Sequence, residues 1–576
     1  MKLLNLTIQD EFRSLHKGFS INFHKNLDSM DTFQPFCFAG LNGSGKSNVL
    51  EALASIFYHL EFCVAKFRPN SFDKHFKRHV STPDAYTLQY IIVQKDSPDL
   101  NRSYKVTITK KNNQKKKEDN EPQLFIQKYP YTDAVEKHKI SMHPSKNNEA
   151  PAEAKYYLPD LVVAYSSGEN ETLSLPFIKN RLINFDNYCE DYKKNIVFKE
   201  PESSLIYIDE SMSQAVLLAA LLFEDVKTLK PLRKELGIQS LESFSIQLYN
   251  QGIPFENEKE IVYNPILLHI NEILNDLKKC ATCWNEFDDD IEKDEYTGPF
   301  NILKLDFYVN EATKTAFKNY FSTSFELFRF FQVLYELNSS IVSESIKEEV
   351  YSSKGFYTKG KLPVAAPTDT VFHFLDYKIL KKIKGKKKPK ALLLREFSDG
   401  EQQFLHTIGI CLMLKERRTL LLLDEPETHF NPAWRAKFIK ILNDSIEAGN
   451  LKNGANVHLL KDVLLTSHSP FIISDCMPNN VIFFDRDKKT ELVEAKSAKE
   501  LEFNTFGTSV ETILDELFNY NQSIGDWSNE TLMEIEFDNI KTEADKKALK
   551  KELRILGPSI EKDLVLAKLN RLDLKS

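Results

Sequence analysis

The chain has 576 residues, a formal charge of −7 and 28% charged residues. That length allows roughly three to four domains, and the charge balance excludes a wholly basic nucleic-acid-binding body. Its seven cysteines, with no secretory apolar segment and no aliphatic run long enough for a bilayer, predict a reduced cytoplasmic protein with no membrane contact and weigh against a fused transporter.

From the N-terminus, MKLLNLTIQDEFRSLHKGFSINF (Met1 to Phe23) alternates apolar and polar residues, predicting two paired strands with FRSL between them. FQPFCFAG (Phe33 to Gly40) reads as a buried strand, and the run from Ser47 to Phe57 as a helix. Between them GLNGSGKS, Gly40 to Ser47, fits G-x-x-x-x-G-K-[ST]. Gly40, Gly43 and Gly45 let the backbone turn so that N–H groups, together with the positive end of the helix, face the β- and γ-phosphates of ATP. Asn42, Ser44 and Asn48 belong to the same cradle. Lys46 adds a point charge there, and the Ser47 hydroxyl is placed to ligate Mg²⁺.

Tyr104 to Tyr129 predicts a hairpin with a lysine-rich tip that includes Lys115 to Lys117. LPDLVVAYSSGEN, Leu158 to Asn170, is a strand followed by a polar turn. From about 176 to 360 the pattern turns helical, as in Ser213 to Leu229 and Tyr320 to Ile346, with ILKLDFYV (Ile302 to Val309) readable as a strand. Cys280 and Cys283 form CATC, but one pair supplies two of the four ligands of a structural zinc, and the flanks are too short for long antiparallel arms. They are read as ordinary cysteines. KKIKGKKKPK, Lys381 to Lys390, is either a solvated loop tip or a contact for DNA or RNA phosphates, which the second lysine cluster could join.

FSDGEQQ, Phe397 to Gln403, opens a helix patterned by Phe404, Ile408, Cys411, Leu412 and Leu414, so Ser398, Gly400 and Glu401 sit at an N-terminal anion site. This turn does not easily reach its own P-loop. The inference is that it meets the γ-phosphate held by a second copy, with ATP bridging two subunits. TLLLLDEPE, Thr419 to Glu427, is a strand buried on both faces that carries its carboxylates to the edge of the core. Asp424 would hold Mg²⁺, and Glu425 is poised as general base for the attacking water. Val463 to Ile473 supplies another strand, ending in His468. Asp485 and Asp487 fall in a terminal hairpin without a preceding V-E-G strand, so no nuclease is expected in this chain. Ser509 to Lys575 predicts a helical tail anchored by Leu514, Leu517, Leu532, Leu549, Leu553 and Leu556.

The ordered set GLNGSGKS, FSDGEQQ, LLLLDEPE and TSHSPF resembles the ABC-type ATPases of the RecF, SMC and OLD group. The resemblance implies a two-lobed α/β P-loop head with a mixed sheet, a signature serine and glycine acting in trans, and a switch role for His468. It also implies an approach of Arg13 to the nucleotide, although a solvated hairpin charge fits that residue as well. The group's Q-loop glutamine is missing from the turn Ser166 to Asn170. Either SSGEN takes its place or a glutamine elsewhere, such as Gln94, does. The implied plan is a first lobe over 1–175, a helical insertion over 176–360 for dimer or partner contacts, a second lobe over 361–495 and a helical tail over 496–576. With the tail TFGTSVETILDELF (Thr505 to Phe518), the chain further resembles the restriction-system-associated, PtuA-type ATPases of Septu and retron anti-phage systems. That resemblance implies a homodimer or higher oligomer that controls a separately encoded HNH nuclease. The alternatives are a RecF- or SMC-like repair ATPase and an OLD-type ATPase-nuclease.

Overall fold

Seven strands form the middle of the molecule, and the inner ones are mostly apolar, because a parallel strand covered on both faces has no polar side to present. In the computed structural model these are β3 (Phe36–Gly40), β8 (Leu161–Ser166), β9 (Leu205–Tyr207), β15 (Thr419–Asp424), β16 (Lys461–Thr466), β17 (Val481–Arg486) and β18 (Val493–Ser497). The structure describes residues 1–25, 30, 33–94, 97, 99–113, 120–144, 150–168, 170–194, 196, 203–250, 271–289, 300–353, 362–363, 370–383, 385–413, 417–447, 457–487, 489–520 and 522–572. The sheet order is β18-β17-β3-β16-β15-β8-β9, parallel except for the β17–β18 hairpin. Leu420 to Leu423 in β15 are at most 1% exposed, and full burial of each leucine is worth about 2 kcal/mol. This sheet puts the ends of β3, β15 and β16 side by side, so the turns that follow them converge. The fold is α/β, as the sequence predicts.

The 19-residue helix Lys46–Val64 packs across β3, β8, β15 and β16 and is buried along nearly its whole length. Its outer side meets a second, antiparallel sheet of β1 (Lys2–Ile8), β2 (Ser20–Asn22), β4 (Tyr86–Val93), β5 (Ser103–Lys110), β6 (Gln123–Lys128) and β7 (His138–Ile140), in the order β2-β1-β4-β5-β6-β7. Both hairpins read from the sequence are present: β1 pairs with β2, and β5 with β6. Lys115 to Lys117 lie outside the described residues. One buried carboxylate ties the antiparallel sheet to the central one. Asp462 in β16 accepts from the Leu3 N–H at 2.8 Å, lies 3.6 Å from Lys2 Nζ, and meets His24 Nε2 at 3.1 Å.

Between the motif-bearing segments the chain forms helices, including Glu171–Lys193, Glu210–Phe223 and Ser324–Glu336. It also forms a third sheet, β11-β12-β10-β13-β14, from β10 (Ile238–Asn250), β11 (Cys283–Asp289), β12 (Phe300–Tyr308), β13 (Phe372–Lys381) and β14 (Lys390–Leu393). The stretch expected to be helical is therefore mixed. The strand at Ile302–Val309 is present as β12, and β10 joins it because Ile238, Leu241, Phe244, Ile246 and Leu248 are buried while intervening polar residues are not. Cys280 ends the helix Asn271–Cys280 and Cys283 begins β11. Both are free thiols, and among the described residues no group of metal-ligating side chains clusters anywhere. The lysine run forms the tip of the β13–β14 hairpin, where Lys386, Lys387 and Lys388 are exposed. Lys384 lies outside the described residues.

Residues 507–576 form a separate compact unit. Its helices are Val510–Phe518, Asp526–Met533, Glu543–Glu552 and Ile560–Asn570. Leu517, Leu532 and Leu553 are buried as predicted, whereas Leu514, Leu549 and Leu556 are half-buried. Among the described residues, no helix is long and apolar enough to cross a membrane.

Candidate nucleotide site

The P-loop leaves the end of β3 and enters the helix at Gly45, which has φ +96°. Gly40, at φ +143°, lies so close to β17 that a Cβ there would sit 2.3 Å from the Phe484 carbonyl oxygen. Only glycine meets both demands. Asn42 and Gly43 are exposed at the loop's crest, whereas Ser44, Gly45 and Lys46 are buried. Lys46 Nζ donates to the carbonyls of Gly40 at 3.0 Å and Leu41 at 2.9 Å, which hold the ammonium inside the loop. Burial pulls its pKa down to about 8, against the pull of Glu425 and Asp424.

Asp424 is the hub of the site. Its Oδ1 accepts from Ser47 Oγ at 2.9 Å and Thr466 Oγ1 at 2.7 Å, and its Oδ2 accepts from Asn170 Nδ2 at 2.7 Å. Four segments far apart in sequence thus meet on one carboxylate. The residues fit Mg²⁺ bound with a nucleotide: a hydroxyl and a carboxylate 2.9 Å apart, beside a glycine loop and an ammonium, are hard oxygen donors next to a phosphate cradle. Gln94 is engaged elsewhere, donating to the Tyr104 hydroxyl at 3.1 Å. The SSGEN turn reaches the Asp424 carboxylate through Asn170. Within it Ser167 Oγ bonds the Glu425 carbonyl at 2.5 Å, and Glu169 lies outside the described residues.

Glu425 stands in the left-handed region at φ +46°, a strained conformation that in non-glycine residues collects at functional sites. Its N–H donates to Thr466 Oγ1 at 2.9 Å, and its Oε1 lies 3.4 Å from His468 Nε2. Burial and the adjacent Asp424 raise its pKa, and burial with Lys46 nearby pulls His468 down to about 4. A basic carboxylate beside a neutral imidazole can accept a proton from water and share the hydrogen bond. Behind them Ser467 Oγ donates to Glu427, a 4% exposed carboxyl that burial pushes up to about 7.

Arg13, at φ +53°, places its Nε 2.6 Å from Glu51 Oε2, one turn into the P-loop helix. Glu51 also accepts from Asn48 Nδ2 at 3.2 Å and Thr172 Oγ1 at 2.5 Å, and Ser14 Oγ donates to Asn48 at 2.6 Å. Thr172 bonds Asn170 as well, at 2.8 Å, so Arg13 connects to Asp424 through a continuous polar chain. Sequence reasoning missed Glu51, Thr172, Thr466 and Glu427. Thr466 and Glu427 sit inside the quoted motifs and had a signal; Glu51 and Thr172 had none.

The signature turn is built differently. Ser398 Oγ accepts from the Glu401 N–H at 3.4 Å, and Glu401 Oε2 accepts from the Ser398 N–H at 3.2 Å, closing a reciprocal cap on the helix Asp399–Met413. Lys381 pairs with the other Glu401 oxygen and lies over the Phe397 ring at 4.4 Å. Glu401, one of the two acidic residues of S-D-G-E, is thereby paired within its own chain. A Cβ on Gly400 would fall 2.7 Å from the His429 carbonyl, so the turn is pressed against the segment that follows β15. Gln403 Oε1 accepts from the His429 N–H at 3.0 Å. Phe404, Ile408, Cys411 and Leu412 are buried, and Leu414 lies outside the described residues.

The α/β sheet, the phosphate loop and the carboxylate at the end of β15 define an ABC/AAA-type P-loop ATPase. Residues 167–474 match the family described as "AAA domain, putative AbiEii toxin, Type IV TA system", and the chain belongs to that family. The matched span holds the signature turn, β15 and His468, while the P-loop precedes it. No curated protein matches the chain.

Proposed function

We propose that this chain is the ATP-binding and ATP-hydrolysing subunit of a bacterial anti-phage defence complex, in which copies close on ATP and control a separately encoded HNH nuclease. The observation that carries the ATPase part is the meeting of Ser47, Asn170 and Thr466 on Asp424, with Glu425 and His468 alongside. Ser47 and Asp424 would hold Mg²⁺, which when bound neutralises charge on the β- and γ-phosphates. Lys46 and the N–H groups from Gly43 to Ser47 bind the phosphates. Glu425 takes the proton of the attacking water, oriented by the Thr466 hydroxyl that bonds its N–H. His468 completes the contact to the γ-phosphate. Ser398 and Gly400, at the start of the helix Asp399–Met413, act on the nucleotide of a second copy, with Glu401 held back by Lys381.

The defence part rests on the sequence resemblance and on the family description, which names a toxin–antitoxin system. A partner surface is supported by the C-terminal unit, where Trp527, Ile555, Ile560 and Leu564 are 86%, 90%, 67% and 65% exposed, apolar area of a kind that partners cover. The test is Glu425→Gln. Turnover should fall by about 10²- to 10⁴-fold, with ATP binding retained and the protein shifted to dimer by ATP in light scattering. Unchanged turnover overturns the assignment of the base. Co-purification of an HNH protein encoded beside this gene supports the defence role, and tight DNA binding by the isolated chain without such a partner overturns it in favour of repair.

A further inference from the structure

Away from the phosphate loop, beside the second half of the P-loop helix, lies a cavity of about 430 Å³. Four cations line it, Arg13, Lys74, Lys77 and Lys179, and among its described lining residues there is no carboxylate. Glu348 pairs with Lys74 and Glu51 with Arg13 from behind the wall. Lys179 is 7% exposed and donates to the Ser353 carbonyl at 2.5 Å. Burial pulls its pKa down to about 8, so an anion beside it would be stabilised. The other walls are aromatic: Tyr58, Phe72, Phe76 and Tyr351, with His59 and His75. His75 Nε2 is buried with no hydrogen-bond partner among the described residues, a polar atom left for a ligand. Ser55, Thr172 and Ser352 add hydroxyls.

We propose that this cavity is a second, non-catalytic site for a nucleoside phosphate, with the base between the aromatic walls and the phosphate on the lysines and Arg13. The volume falls in the range of small-ligand sites, and aromatic walls beside Lys77 and Lys179, which form no ion pair among the described residues, select an aromatic anion over a sugar phosphate or an apolar molecule. The cavity also touches the catalytic centre. Arg13 and Thr172 line it and both hold Glu51, while Thr172 holds Asn170, which bonds Asp424. A phosphate in the cavity competes with Glu51 for Arg13, and its effect passes along that chain to the metal carboxylate. Binding stands apart from the proposed ATP turnover; the coupling rests on it.

The experiment titrates AMP, GMP, CMP and UMP separately, by calorimetry, into the full chain saturated with Mg²⁺ and a non-hydrolysable ATP analogue, and into Lys46→Ala protein. At least one monophosphate should bind one per chain with Kd below about 1 mM. The exposed charge reversal Lys77→Glu should weaken it by about tenfold. No binding by any of the four, or affinity unchanged in Lys77→Glu, overturns the site. The bound monophosphate should change the ATPase rate of wild-type protein by about twofold or more, and an unchanged rate overturns the coupling. ATP turnover without monophosphate binding defeats this inference alone. Failure to bind ATP defeats the ATPase reading alone.

Discussion

The phosphate loop and the signature turn sit in one chain and are made to opposite plans. Around Asp424 the hydrogen bonds run between segments 42 to 377 residues apart, joining Ser47, Asn170 and Thr466 into one centre within the chain. Around Ser398 they are local: a reciprocal cap with Glu401, an ion pair from Lys381 and a tight backbone approach to His429. The first is a reaction centre. The second is a helix end fixed by its own neighbours. The difference teaches that one region is held by distant segments and the other by its own sequence neighbours, a division that the proposed closure in trans would use.

The comparison breaks most directly at Lys46. Lys46→Ala should weaken ATP binding by about 2–3 kcal/mol, read by calorimetry, and normal affinity would remove the loop from the site. Glu427→Gln comes next, because burial lifts this carboxyl from 4.5 to about 7. The folded protein keeps a proton that the unfolded chain releases near 4.5, so the contribution is fully present below that pH, is lost as pH rises, and levels off above about 7. At about 1.4 kcal/mol per pKa unit the loss approaches about 3 kcal/mol. Urea melts at pH 5 and pH 8 should show that slope in the wild type and not in the variant; equal slopes would refute it. Gly400→Ala should cost about 1–3 kcal/mol of stability without nucleotide, through overpacking on His429. A loss of activity with no loss of stability would mean the glycine serves the ligand instead.

The smallest effect sharpens the contrast furthest. Ser398→Ala should cost about 1 kcal/mol in helix capping, leave ATP affinity unchanged and slow turnover. Mixed with Lys46→Ala protein, it should regain up to about a quarter of wild-type turnover, because each mixed pair holds one intact composite site. No recovery on mixing would deny action in trans.

What the sequence made legible follows from how local each signal is. The P-loop, β15 and β16 each carry their chemistry within a dozen residues and end at the same edge of one sheet, so pattern alone located them. The signature cap was equally readable, since Ser398 and Glu401 are three residues apart. Asn170 was visible only as part of a polar turn. Its bond to Asp424 spans 254 positions, and an amide one methylene shorter than glutamine leaves no motif. The tie of Arg13 to Glu51 was hidden for the same reason, as was the cavity beyond it. β10 did have a signal, the alternation of Phe244, Ile246 and Leu248, but Ile238, Leu241 and Phe244 are three apart, a spacing that reads as helical and that register shifts in the strand accommodate.

Six residues of β16 are pinned at both extremities. At one, Asp462 is locked by Leu3, Lys2 and His24; at the other, Thr466 grips Asp424 and Glu425, with Ser467 and His468 immediately beyond. A strand fastened this way cannot slip along its neighbours without exposing a buried charge at one end or releasing the Asp424 carboxylate at the other. It works as a fixed ruler, setting the spacing between Glu425 and His468.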